Sequence, residues 1–510
     1  MTDAETSPSL RAFLDRLGEE DELVRVEQRV SWNLEASAIS MRAAETDAAV
    51  PLFASVADTG VPGARLVGDP YRGSQRRPWD RVARALGLSP DLDSAAFYDA
   101  VIDRLKRPLD PVTTDPANAP CKEVVRTGDD VDLLSFPWPY IHARDGGRYS
   151  NLHTLVAPDP DSSWVDWSAH RTMLHDSRQA SVLLLAGEQT PNLYYYKYER
   201  RDEPMPVALV VGAEPTTQFA ASMWIPTGSD EARFAGGLKG SPIELVPCET
   251  NDLLVPASAE LVIEGRVLPG KRLDEGPFGD YFGYIHGPRR SVPALEVDAI
   301  THRRNPIVPF CVEGIGVGHT ENTTSSMEVS CVGPDATLGL WAAGFDVVRC
   351  VPWRFTPRTV YVVAVDTTEP GALHELANFI FTTWGMLHID FFVFVDADVD
   401  PLDTRAVLEA IARHADPDAD FHQFGTETMP KVPLNIYQTP DEKGDVQTGT
   451  SKAKTAKAYI DATRDGSEAS MQNELTREAR ERAQSVLAAA GLPEERLTLV
   501  DGGGEADDGS

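Results

Sequence analysis

The sequence predicts a mixed α/β (α+β) fold in three parts, and three observations carry that reading. Amphipathic helices and a strand alternate at the start, short apolar runs broken by Gly, Pro and Asn fill residues 121–310, and strand and helix alternate after about 320. A chain of 510 residues with 42% hydrophobic content is long enough to bury more than one core.

Leu10, Phe13, Leu14 and Leu17 recur at helical spacing before Gly18, which predicts an amphipathic helix with a glycine stop. A strand over ELVRVEQRV and a helix over LEASAISMRAAE follow, and PWDRVARALGLSPDLDSAAFYDAVIDRLKRP reads as two more helices. RPLDPVTTDPANAP (107–120), rich in Pro and Asp, marks the first boundary and closes an N-terminal α/β domain at 1–118. The runs LHTLVAP, SVLLLAG, MPVALVVG, AELVIEG, LEVDAI and PIVPFCV predict a β-barrel or sandwich over 119–318, with inserted helices at TTQFAASM and SDEARFAGGL. TVYVVAVD, GALHELANFIFTTW, DFFVFVDADVD and DTRAVLEAIARHA give a βαβα order, hence a C-terminal α/β domain over 319–465. A long polar helix is expected over 466–495, either as an oligomer contact or lying on its own domain, and a disordered acidic tail over 496–510.

No run approaches the roughly 18 apolar residues of a membrane span, and the acidic start is no export signal, so a cytoplasmic protein that leaves membranes alone is expected. The five cysteines have no CxxC spacing, which argues against a disulfide framework or zinc knuckle. A net charge of −32 repels nucleic acid. It leaves open whether the acidity serves solubility or a halophilic habit. A phosphate-bearing ligand would need local positive charge, such as a metal ion.

In EGPFGDYFGY (275–284) the carboxylates Glu275 and Asp280 bracket a turn stiffened by Gly276, Pro277 and Gly279, beside the aromatic residues Phe278, Tyr281, Phe282 and Tyr284. Alone, such a turn is more often a hairpin with solvated acids. Taken together with WSAHRTM (167–173), SDEARFAGGL (229–238) and ETNDLLVPASAELVIEG (249–265), and more weakly with SKAKTAKAYIDAT (451–463), it resembles the UbiD family of reversible decarboxylases. The resemblance implies prenylated FMN as cofactor, a split β-barrel flavin-reductase-like core between the two α/β parts, and a homodimer or dimer-based hexamer. It also implies a flavin prenyltransferase as cofactor supplier, with a small carboxylic acid and CO2 as the reacting molecules.

Carried over position by position, the resemblance makes Arg171, Glu275 and Asp280 the catalytic triad, with Asp280 moving the proton and the Arg171–Glu275 ion pair orienting it. The chemistry agrees: electrons left by departing CO2 need a cofactor as sink, an Arg near the reacting carboxylate can hold it as a fork, and a buried acid can protonate the carbon. The family's metal, manganese or magnesium with K+ alongside, would be held by Asp166, Gln189 and Glu231, where the family has Asn, His and Glu. An all-oxygen set of this kind suits a hard cation. Ser229 is the expected cap of the helix that Glu231 opens.

The stretch Trp167, Ser168, Ala169, His170 and Arg171 is expected along the flavin, with Glu188, Ser222 and Met223 beside it and Lys452, Lys454 and Lys457 as possible phosphate partners. GHTENTTSS (318–326) places Thr320 and Thr324 at the substrate. Two rivals remain: a flavin reductase-type FMN oxidoreductase, weakened by the missing GxGxxG fingerprint, and a non-catalytic family subunit, for which the altered metal positions argue.

Overall fold

The computed structural model describes residues 5–185, 188–280, 289–313, 322–354, 356, 360–366, 371–382, 389–430, 454–464 and 477–491. The first helix, Leu10–Glu19, buries Leu10, Phe13, Leu14 and Leu17, and Ser9 caps it by accepting from the Ala12 amide at 3.1 Å. It runs one residue past Gly18, so the glycine is not the stop. The pair read from PWDRVARAL… appears as helices Asp80–Ala85 and Ser94–Leu105, the second capped by Asp93.

The central sheet follows the predicted apolar runs. Its strands lie in the order Arg148–Ser150, Thr172–Leu174, Gln179–Val182, Arg290–His302, Leu261–Glu275, Met205–Val211, Thr154–Pro158 and Val165–Ser168, and Val124–Thr127 adds to Arg290–His302. Every pairing in it is antiparallel, which suits a curled half-barrel. Among the described residues of SVLLLAG, Ser181 and Val182 are strand and Leu183, Leu184 and Leu185 are not.

PIVPFCV does not belong to that sheet. Its strand Ile307–Phe310 runs parallel to Arg65–Gly68 and completes a four-stranded N-terminal sheet with Leu23–Val30 and Val50–Val56. Apolar content cannot assign a strand to one sheet over another, because both interiors ask for the same residues. A five-stranded sheet of Val347–Pro352, Val360–Val365, Phe391–Asp396, Lys454–Asp461 and Phe421–Pro430 forms the C-terminal part, covered by helices Ala372–Thr382 and Thr404–His414 as the alternation predicts. Of the expected terminal helix, Arg477–Ala489 is described, with Val486 and Leu487 exposed; the 496–510 tail lies outside the described residues. Among the described residues no helix is long and apolar enough to cross a membrane.

Two fully buried glutamates join these parts, and both sit in the apolar run AELVIEG. Glu260 accepts from Arg11 Nε at 2.7 Å, Arg11 Nη2 at 2.8 Å and the Ile307 amide at 3.0 Å, so it ties the first helix and the crossing strand to the barrel. Glu264 accepts from the amides of Glu249 and Thr250 at 2.7 and 2.8 Å, which pins the ETND turn. Removing one partner of such a pair leaves buried donors unpaired. Glu260→Ala is expected to lose about 3 kcal/mol, read as an earlier urea unfolding midpoint.

Candidate active site

Glu275 ends the strand Leu261–Glu275 and faces Arg290 across the longest hairpin of the barrel. Arg171 arrives from the link between strands Val165–Ser168 and Thr172–Leu174. The two meet as a fork, Nε to Oε1 at 2.9 Å and Nη2 to Oε2 at 3.1 Å, while Nη1 donates to Asp280. Tyr149 donates to Glu275 Oε1 at 3.0 Å, and Phe278 stands under the Arg171 guanidinium at 4.7 Å. The side chain of Glu275 is fully buried and those of Arg171 and Asp280 are each 8% exposed, so these charges compensate one another away from water. Burial works against the Arg171 charge, but Glu275 and Asp280 outweigh it and hold its pKa above the ordinary value. Because the fork edge is spent on Glu275, Arg171 does not offer that edge to a substrate carboxylate.

The EGPFGD turn is buttressed by a loop the sequence reading passed over. Asp145 accepts from the His142 amide at 2.9 Å and from the Gly279 amide at 2.8 Å, and the Gly146 amide donates to Pro277. A Cβ on Gly146 would stand 2.1 Å from the Gly276 carbonyl oxygen, so only glycine allows this approach. The His142 ring lies 3.1 Å from Asp145 and 2.6 Å from the Glu313 carbonyl oxygen, which joins the turn to the segment after the crossing strand.

Of the three expected metal ligands, Asp166 and Glu231 lie close enough to feel each other's charge. Glu231 opens the helix Glu231–Lys239 and accepts from the Trp167 amide at 3.0 Å; the cap position is Asp230, without a side-chain hydrogen bond, rather than Ser229. Asp166 accepts from Thr190, which in turn meets the Ser168 hydroxyl at 2.7 Å. Burial first, and then each other's charge for Glu231, push both carboxyl groups above their ordinary pKa. Gln189 donates through Nε2 to the Ile225 carbonyl at 2.5 Å, and its buried Oε1 has no partner among the described residues. No group of three His, Cys, Asp or Glu among the described residues is placed to hold a metal ion, and here the third expected member is an amide. Two neighbouring carboxyl groups, with an orphaned amide oxygen on the residue next to the Thr190 that donates to Asp166, are a donor set that suits a hard divalent cation.

Around this pair, Ala169 is exposed, while His170 is buried with Nδ1 at 3.6 Å from Glu188 and Nε2 unpartnered among the described residues. Ser222 closes its helix by donating to the Gln218 carbonyl at 2.9 Å, and Met223 packs in the core. Lys457 is buried against Asp390 at 3.1 Å and the Ile389 carbonyl, so it does not reach for a phosphate. Thr324 donates to Glu313, a buried carboxyl whose other oxygen is unpartnered among the described residues, and not to open space. Thr320, Tyr281, Phe282, Tyr284, His319 and Lys452 lie outside the described residues. The reading missed Tyr149, Asp145, Arg290 and Glu313; only the Gly146–Gly147 pair after Asp145 was a visible cue.

The chain matches family models described as the N-terminal, Rift-related and C-terminal domains of 3-octaprenyl-4-hydroxybenzoate carboxy-lyase, over residues 14–105, 112–316 and 347–462. It is 33% identical over 440 residues to a pyrrole-2-carboxylic acid decarboxylase of Pseudomonas aeruginosa, covering 83% of this chain and 86% of that protein. The chain belongs to the UbiD family of carboxy-lyases. A second UbiD-type relative, ferulic acid decarboxylase 1 of Saccharomyces cerevisiae, is 26% identical over 86% of this chain and 89% of its own length. Among solved structures, the UbiD-class enzyme HmfF of Pelotomaculum thermopropionicum, in an evolved dimeric form in complex with prFMN, superposes with a TM-score of 0.74 at 26% identity over 93% of this chain and 98% of its own. The vanillic acid decarboxylase of Sedimentibacter hydroxybenzoicus in closed form shares the fold, with a TM-score of 0.81 at 24% identity over 96% of this chain and all of that one. The mixed α/β fold with its half-barrel core is therefore that of UbiD-class enzymes.

Burial, and then the nearby Asp280 charge, raise the Glu313 pKa to about 7 from an ordinary 4.5. The folded state therefore keeps this proton through the window between those values while the unfolded state releases it. Stability falls as pH rises across that window and levels off above it. Glu313→Gln removes the effect: relative to wild type the variant should gain roughly 3 kcal/mol between pH 5 and pH 8, read from denaturant midpoints.

Proposed function

We propose that this chain is a non-oxidative decarboxylase of an α,β-unsaturated or (hetero)aromatic carboxylic acid that works with prenylated FMN. The observation carrying the proposal is the buried Arg171 that engages both Glu275 and Asp280. When bound, the flavin supplies the electron sink that no side chain offers. The protein does the rest. Glu275, doubly held by Arg171 and once by Tyr149, fixes the guanidinium, and the guanidinium fixes Asp280, so the acid that delivers the proton stands in one place. Tyr149, Phe278 and the Asp145 buttress limit water around it.

The relatives support the substrate class: two are a pyrrole-2-carboxylic acid and a ferulic acid decarboxylase. The prFMN complex of HmfF supports the cofactor. Asp166, Gln189 and Glu231 would hold manganese or magnesium against the cofactor phosphate, with K+ near Ser222 and Met223. Ala169 and His170 would line the flavin. A flavin prenyltransferase would supply the cofactor, and the working unit would be a homodimer or a hexamer built from dimers.

In enzyme reconstituted with prenylated FMN, Asp280→Asn should keep its flavin yet lose about 10³-fold in CO2 release and in solvent-deuterium exchange. Full activity would remove Asp280 from this role. Glu231→Ala should lose divalent metal and flavin together by elemental analysis and absorbance; unchanged content would discard the metal assignment.

A further inference from the structure

Arg290 opens the return strand of the hairpin directly opposite Glu275. Partners facing each other across an antiparallel pair show their side chains on the same face, which sets Arg290 beside the triad. It is 9% exposed, and Nε, Nη1 and Nη2 all lack a hydrogen-bond partner among the described residues. Its electrostatic neighbours are Arg171, Glu275, Asp280 and Tyr149. Burial, and then repulsion from Arg171, bring its pKa down to about 10, so it stays charged near neutral pH. An enclosed cation without a partner is strongly unfavourable, and both nearby acids are already taken by Arg171.

We propose that Arg290 is the receptor for the carboxylate of the acid substrate, holding it beside Asp280 while Arg171 remains committed to the two acids. The proposal rests on the decarboxylase reading. Five donors in a planar fork, unpartnered among the described residues, match one carboxylate, and the Arg171 fork is spent on Glu275. During the reaction the bond from carbon to carboxyl breaks, CO2 leaves uncharged, the electron pair stays with the organic part, and the Asp280 proton takes the vacated position. The charge that Arg290 grips disappears on the way. Its contribution is therefore to binding the ground state more than the transition state.

Two measurements on the flavin-loaded protein test this. Formate, a planar one-carbon carboxylate, should raise the thermal midpoint of wild type against chloride at equal ionic strength, raise that of Arg290→Lys less, and leave Arg290→Gln unmoved. No rise in wild type, or an equal rise in Arg290→Gln, overturns the assignment. If Arg290→Gln does not fold, wild type against Arg290→Lys decides, and equal rises overturn it. With an acid the enzyme decarboxylates, Arg290→Gln should raise KM about tenfold or more while kcat stays within about threefold, and that acid should compete with formate. A fall in kcat at unchanged KM overturns the role. So does competition with formate by bicarbonate and not by the acid, which would assign the receptor to hydrated CO2. If no acid is turned over, the decarboxylase reading fails, and the formate comparison still decides whether Arg290 binds a carboxylate.

Discussion

The bidentate pair between Arg171 and Glu275 is the interaction on which the site depends. A fully buried carboxylate is tolerable only where donors meet both of its oxygens, and Glu275 receives two from Arg171 and one from Tyr149. The pair fixes three things together. It locks the end of the longest barrel strand to the link after Ser168, it orients Asp280, and it aligns the Arg171 face over Phe278. Glu275 and Tyr149 sit on strands of the barrel and Arg171 on the short link between two others, so the sheet register sets the frame and the link and turn complete it.

Much of this was legible from the chain alone. Helical spacing of Leu10, Phe13, Leu14 and Leu17 located the first helix, and the resemblance carried by EGPFGDYFGY and WSAHRTM singled out Arg171, Glu275 and Asp280, which the fold brings into contact. What stayed hidden depends on partners far away in sequence. Glu260 and Glu264 look like anomalies in an apolar strand until Arg11, Ile307 and the ETND turn are seen meeting them. The strand Ile307–Phe310 has the composition of either sheet, and nothing local tells which one takes it. The Thr324 hydroxyl donates to Glu313, a residue with no motif to announce it.

Like charges meet at Asp166 and Glu231. Burial raises the proton affinity of both Asp166 and Glu231, the Asp166 charge adds to it at Glu231, and the buried Gln189 carbonyl oxygen has no partner among the described residues. Two acids and an amide are an all-oxygen donor set, of a kind that suits a hard cation better than a softer transition metal, and the Glu231 member stands at the start of its helix.

The path of the chain through Ile307–Phe310 bears on biosynthesis. The strand Arg65–Gly68 gains its neighbour on that side more than two hundred residues later, after the whole barrel has left the ribosome. Until then a nascent N-terminal half carries a bare sheet margin that can recruit other chains. Any truncated product ending before residue 307 would inherit the same adhesive border.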